Sequence, residues 1–203
     1  MEKSKLFGKF EAALACLLCA ALLLCAAGVW QQRSIAEKLI RLHVVANSDG
    51  EADQAVKLAV RDAVLAQVEA LCSNTADVEE AAQRIQENLP LLERTAGDIL
   101  QAEGFDYPVQ ASFGTEQFPT REYDSFSLPA GEYASLTLRL GEAEGKNWWC
   151  VIFPALCGAQ DIEPAAEAAG MTPQQVRWIR SDGRIEIRFR LVELYQKLAA
   201  LFA

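Results

Sequence analysis

Apolar positions follow three regimes along the chain. From Ala12 to Trp30 they are continuous, with no charged side chain between them. From Glu51 to Gly104 they recur every three or four residues. Before and after that stretch they alternate. The first regime is long enough, as a helix of about 28 Å at roughly 1.5 Å per residue, to cross the hydrocarbon of a bilayer. Lys3, Lys5 and Lys9 precede it, which orients it positive-inside. It is either a signal peptide or an N-terminal membrane anchor, residues 1–30. Cys25-Ala26-Ala27-Gly28 offers small residues for processing, whereas Trp30 suits retention at an interface. A lipid-carrying Cys25 is disfavoured by Leu24 just before it. Gln31–Glu37 reads as a polar linker, and residues 38–203 as a single α+β domain.

Lys38–Ala46 (KLIRLHVVA) alternates and is rich in branched residues, so it predicts a strand. Asn47-Ser48-Asp49-Gly50 ends it. Ser48 with Glu51 three residues on has the spacing of a capping box. Val56, Val60, Ala63, Val64, Val68 and Leu71 mark the buried stripe of the helix that follows. Ser73-Asn74-Thr75 breaks it and can cap a second helix, with Val78, Ala81, Ala82, Ile85 and Leu89 as its stripe. Pro90 forces a kink or a fresh start, and the pattern runs on to Gly104.

Beyond Gly104 the period changes to two. Tyr107–Phe113, Phe118–Tyr123, Glu132–Leu140 and Asn147–Phe153 are candidate strands. The last, NWWCVIF, is apolar on both faces and reads as a central strand. A short helix is expected at Pro173–Ile179 within the polar stretch 158–182. Ile185, Ile187 and Phe189 alternate ahead of a final amphipathic helix through Leu191, Leu194, Tyr195, Leu198 and Leu201. That helix should pack on the core, because a membrane-surface helix would be richer in Lys and Arg. The expected fold is α+β: a mostly antiparallel sheet, with two long helices and the C-terminal helix packed on one face, preceded by the apolar export or anchor helix.

Composition narrows the function. The 203 residues carry a net charge of −9. Residues 1–30 hold three Lys and two Glu, so the remainder carries −10. That argues against nucleic acid as a partner. A single His excludes a metal site with two His ligands. No phosphate-binding loop, zinc-protease helix or nucleophile elbow is present, so no cofactor and no small-molecule substrate is expected. Of six cysteines, Cys16, Cys19 and Cys25 lie in the apolar segment, leaving Cys72, Cys150 and Cys157.

Three places could carry chemistry or contacts. His43 alternates with Arg41 and Val45 just ahead of Asn47-Ser48-Asp49, which invites a triad. Triads are defined by geometry rather than proximity in sequence, and capping already accounts for Ser48, so a structural or partner-contacting His43 is the better account. Cys150 and Cys157 could pair if the chain reverses near Pro154, leaving Cys72 as a buried thiol. Otherwise both act as small hydrophobes. Trp148 and Trp149 are adjacent, so in a strand they point to opposite faces. One belongs to the core, and the other is either covered by a second layer or exposed as an anchor.

Three strings occur together: IRLHVVANSDGEADQAVKLAVRDAV (40–64), FPTREY with PAGEYASLTLRLGEAEGKNWWCVIFPALC (118–123 and 129–157), and FRLVELYQKLAALF (189–202). Their order and wording resemble the stage II sporulation protein R family of endospore-forming bacteria. The matching motif positions are Arg41, His43, Ala46, Asn47, Ser48 and Asp49, then Gly131, Glu132, Tyr133, Asn147, Trp148, Trp149, Cys150, Pro154 and Cys157. Gly158-Ala159-Gln160 departs from the aromatic and aliphatic residues the family places there.

The resemblance implies a non-enzymatic signal. Such a protein is made in the forespore and exported into the space facing the mother cell. There it activates the membrane-embedded aspartic peptidase that processes the sigma-E precursor. Its partners would be that peptidase and, if residues 12–30 are uncleaved, the membrane. Candidate contact residues are Arg41, His43, Asn47, Ser48, Asp49, Asn147, Trp148 and Trp149, with Cys150 and Cys157 as a candidate disulfide. The competing expectations are a cell-wall hydrolase using His43 with Asp49 or Glu132, and a non-catalytic module anchored at the septum.

Overall fold

The computed structural model describes residues 2–156 and 159–180. A long helix α1 (Glu2–Ala36) leads into strand β1 (Ile40–Val45). Helices α2 (Glu51–Cys72), α3 (Val78–Glu87) and α4 (Leu89–Ala102) follow. Next come β2 (Val109–Phe118), the short pair β3 (Arg121–Glu122) and β4 (Ser127–Leu128), then β5 (Gly131–Leu140) and β6 (Asn147–Phe153). Two short helices, α5 (Glu163–Ala168) and α6 (Pro173–Ile179), complete it. The main sheet has the order β2-β5-β1-β6, with β1 parallel to β5 and the other two pairs antiparallel. The architecture is thus α+β with a mixed sheet.

Within Ala12–Ala36, α1 is long and apolar enough to cross a membrane, with mean hydropathy 2.6. The stretch assigned to a linker, 31–37, is not one: α1 continues through Ala36, and Gln32, Ile35 and Ala36 are buried against the domain. The polar residues there misled the pattern, because only every third or fourth position needs to be apolar for a helix to dock.

The sheet is covered on both faces, not on one. Ile40, Leu42 and Val44 of β1 and Leu136, Leu138 and Leu140 of β5 meet α2–α4 in the larger core. On the opposite face Phe118, Tyr133 and Val151 join Ile35, Leu39, Phe126, Leu128, Leu156 and the α5–α6 residues Ala166, Val176 and Ile179. This second layer explains why all six β1 residues are buried. It also explains why β6 is apolar on both sides although, among the described residues, it lies last in the sheet order rather than centrally.

Helix boundaries fall where backbone chemistry places them. Asp77, not the Ser73–Thr75 cluster, caps α3, accepting from the N–H of Glu80 at 2.8 Å. Asn88 separates α3 from α4, whose second residue is Pro90, where a missing N–H costs nothing. Gly104 stops α4 at φ +84°. At the start of α2 the expected capping box is absent: the N-cap is Gly50, with no side-chain cap bond. Ser48 Oγ is instead turned toward Asp53. The expected helix at Pro173–Ile179 is α6, closed by a capping box from Thr172 and Gln175. The alternation at Ile185–Phe189 and the final amphipathic helix lie outside the described residues.

Candidate functional site

The sheet face opposite α2–α4 carries a polar cluster built by alternation. On β1, Leu42 and Val44 point to the helices, so Arg41 and His43 point the other way. Register then sets their neighbours. Arg41 pairs with Ser135 and Val151, and His43 with Thr137 and Trp149. On β2, Glu116 lies opposite Tyr133 and on the same face.

His43 is at the centre and nearly buried. Its ring stacks on Trp149, centroids 3.8 Å apart and planes 15° from parallel. Nδ1 lies 2.7 Å from Glu116 Oε1, and Nε2 lies 2.7 Å from Asn147 Oδ1. The other carboxylate oxygen of Glu116 accepts from Thr137 Oγ1 at 2.9 Å and Ser135 Oγ at 3.2 Å. Phe118 meets Trp149 edge-on at 4.7 Å, and the Arg121 guanidinium lies 5.7 Å from the Trp149 ring.

The order Asn147–His43–Glu116–Ser135/Thr137 matters chemically. A triad needs the hydroxyl on one side of the imidazole and the carboxylate on the other. Here both hydroxyls sit on the carboxylate, and an amide occupies the remaining ring nitrogen. Among the described residues, neither Ser48, Asp49 nor Glu132 bonds to His43. Ser48 and Asp49 are engaged elsewhere, and Glu132 is exposed on β5.

Arg41 is fully buried below this cluster. Its guanidinium packs 4.0 Å from the Phe118 centroid and 4.9 Å from that of Tyr133, and Nη2 donates to Tyr123 Oη at 2.6 Å. Nε and Nη1 have no partner among the described residues. Burial holds the Arg41 pKa below its ordinary value. Burial pushes the Tyr133 phenol up to about 12, and that phenol donates to the Pro129 carbonyl at 2.7 Å.

The Asn47-Ser48-Asp49 turn forms a separate knot at the C-terminal end of β1. Asp53 Oδ2 accepts from Ser48 Oγ at 2.6 Å and Asn47 Nδ2 at 2.9 Å, while Oδ1 accepts from Tyr107 Oη at 3.1 Å. Those bonds, led by the one from Ser48, hold the Asp53 carboxyl below its usual range. The β5–β6 turn is tied to the same place. The N–H groups of Glu142 and Lys146 donate to Asn47 Oδ1 at 3.0 Å and Asp49 Oδ1 at 2.7 Å. Lys57, also buried, donates to the Lys146 carbonyl at 2.9 Å. Its burial pulls its pKa down.

The candidate residues therefore divide into two groups. Arg41, His43, Asn147 and Trp149 come together on one face. Asn47, Ser48 and Asp49 serve the turn-to-turn knot. Trp148 faces the α2 side, where the Arg61 guanidinium covers its ring at 4.3 Å. Cys150 is disulfide-bonded, and Cys157, the candidate partner, lies outside the described residues. The chain does turn at Pro154, after a cis Phe153–Pro154 peptide. Cys72 is a free, buried thiol whose pKa is raised by burial. Sequence reasoning missed Glu116, Asp53 and Tyr123. None of the three left a signal: Glu116 falls between the two candidate strands and alternates with the polar Gln110 and Ser112, not with the apolar Val109, Ala111 and Phe113.

No solved structure matches the chain. The curated stage II sporulation protein R of Bacillus subtilis (strain 168) is 37% identical over 123 residues, which is 61% of this chain. The chain covers 55% of that protein, so it spans little more than half its length. The family model described as stage II sporulation protein R matches residues 36–163, from the last turn of α1 to the start of α5. Since that match takes in both the His43 cluster and the Asp53 knot, the chain belongs to the stage II sporulation protein R family.

Proposed function

We propose that this protein is an exported sporulation signal. It activates the membrane-embedded aspartic peptidase that processes the sigma-E precursor, acting from the space between forespore and mother cell. The observation that carries this reading is membership of a sporulation family joined to an N-terminal apolar helix compatible with export or anchoring. The geometry supports a binding role for the domain. Its polar cluster places Asn147 at the surface and leaves Trp149 and Glu116 half-exposed around His43, with no hydroxyl on the imidazole among the described residues. A partner that binds better to the active than to the inactive peptidase shifts its population toward activity, with no chemistry of its own.

The test is reconstitution. Vesicles carrying the peptidase and the sigma precursor are mixed with the full chain, or with residues 31–203 added from outside. The shorter form keeps Gln32, Ile35 and Ala36, which the fold buries. Precursor cleavage on addition is the expected result. Failure of both forms to raise cleavage, with the domain folded, would overturn the proposal. Cleavage by the full chain alone would assign a role to the anchor as well.

A further inference from the structure

Strand β2 is an edge of the sheet among the described residues, and its two halves are treated differently. In the first half, the Ala111 N–H donates to Glu93 Oε2 of α4 at 3.0 Å, away from β5. Pro108, an even-numbered neighbour, offers its carbonyl to the Gly141 N–H on the β5 side at 2.8 Å. The two-residue period therefore sends the N–H groups of Phe113, Thr115 and Gln117 outward like that of Ala111. No backbone or side-chain partner meets those three among the described residues. Gly114, Thr115 and Gln117 are exposed.

An open edge is normally blunted by Lys, Pro or a bulge. None of these occurs in Phe113–Phe118, where the one charge, Glu116, is turned inward to His43, and a side chain at Gly114 would meet nothing within 4 Å. Beside this half-strand a cleft of about 690 Å³ lies between α1, α3 and the ends of β2 and β5. Glu37, Glu79 and Glu132 line it against the single cation Arg33.

We propose that Phe113–Gln117 is a strand-addition site for an extended basic peptide segment of a partner protein. The segment's backbone bonds the outward N–H and C=O groups of β2, and its Lys or Arg side chains reach the acids of the cleft. A second copy of this chain fits less well, because β2-to-β2 pairing would bring two acidic clefts and two net-negative domains together. This proposal does not depend on the identity of the peptidase; of the His43 cluster the strand carries only Glu116, whose side chain is turned to His43 and not to the outward N–H groups.

The probe is the heptapeptide acetyl-Lys-Val-Lys-Val-Lys-Val-Lys-amide, titrated onto the full chain in a neutral detergent. Residue-resolved amide exchange is the readout. Saturable slowing of at least about tenfold at Phe113, Thr115 and Gln117 is expected, the scale on which a formed ladder bond protects an amide. Thr115→Pro, which removes only an outward N–H, should abolish it. On the wild-type chain, the same peptide N-methylated at every residue keeps its charge, but its methyl groups replace the N–H donors and hold the strand off the β2 edge, so it should not protect. The proposal is overturned by no protection, by equal protection from the N-methylated peptide, or by equal protection from a third peptide with Glu in place of every Lys. Protection that rises with protein concentration in the absence of peptide also overturns it, in favour of self-pairing.

Discussion

His43 and Trp149 sit on neighbouring strands with their rings stacked at 3.8 Å, and Glu116 and Asn147 fix the imidazole from both sides. The stack joins β1 to β6 and sets the orientation of the half-buried Trp149 ring. Stacked aromatic pairs contribute about 0.5–1.5 kcal/mol beyond the area they bury. A double-mutant cycle of His43→Ala and Trp149→Ala, followed by urea unfolding, should show a coupling energy in that range. Glu116→Gln keeps a hydrogen-bonding group in place, so it should cost less stability than Glu116→Ala. Additive losses in the cycle would mean that the rings touch without supporting each other.

Among the described residues, Arg41 is a cation with no carboxylate bonded to it. Phe118, Tyr133 and the Tyr123 hydroxyl face it, and among the described residues two of its nitrogens have no hydrogen-bond partner. Cation–π contacts return about 0.5–2 kcal/mol, against a desolvation cost of several for a buried ion. Arg41→Met retains most of the volume without the charge, and should leave stability within about 1 kcal/mol of wild type. Arg41→Ala opens a cavity and should cost about 2–5 kcal/mol. Chemical denaturation of the two variants checks this. A Met variant as weak as the Ala variant would show that the guanidinium itself is needed.

The order of helices and strands was legible because period is local: 3.6 from Glu51 to Leu100, two from Glu132 to Leu140. Pairing was less so. Nothing local in KLIRLHVVA states that β1 runs parallel to β5 and antiparallel to β6, since that follows from where the helices return the chain. For the same reason Glu116 could not be joined to His43, 73 positions away, nor Tyr107 to Asp53. Ser48 shows the opposite failure. Its spacing to Glu51 satisfied a local rule, but Asp53, reached only once α2 has turned, offered a charged acceptor and took the hydroxyl.

Gly145 marks a close backbone approach in the knot. A Cβ there would run into the Ser48 carbonyl group and the Ala46 side chain, and its N–H already donates to the Ala46 carbonyl at 2.9 Å. Backbone cannot retreat as a flexible side chain can. Gly145→Ala should therefore cost about 1–3 kcal/mol by forcing the two turns apart. Gly97→Ala is the control, because its Cβ meets nothing and it lies inside α4, where Ala is favoured by about 1 kcal/mol. Thermal midpoints moving in opposite directions for the two variants is the expected result.

The same knot should govern stability in acid. The bonds from Ser48, Asn47 and Tyr107 favour the Asp53 carboxylate, so its folded pKa lies below the unfolded one. A depressed carboxylate adds stability that is fully present above the unfolded pKa, about 3.9, and is lost as pH falls through the folded pKa. Unfolding free energy measured from pH 7 down to pH 2 should fall across the bottom of that range. Ser48→Ala removes the largest cause of the depression. It should lower stability at pH 7 and flatten the acid slope, so that mutant and wild type converge near pH 2. Asp53→Asn abolishes the titration altogether and should flatten the same limb. Parallel curves for Ser48→Ala and wild type would mean that the Ser48 bond adds to stability without depending on the charge of Asp53.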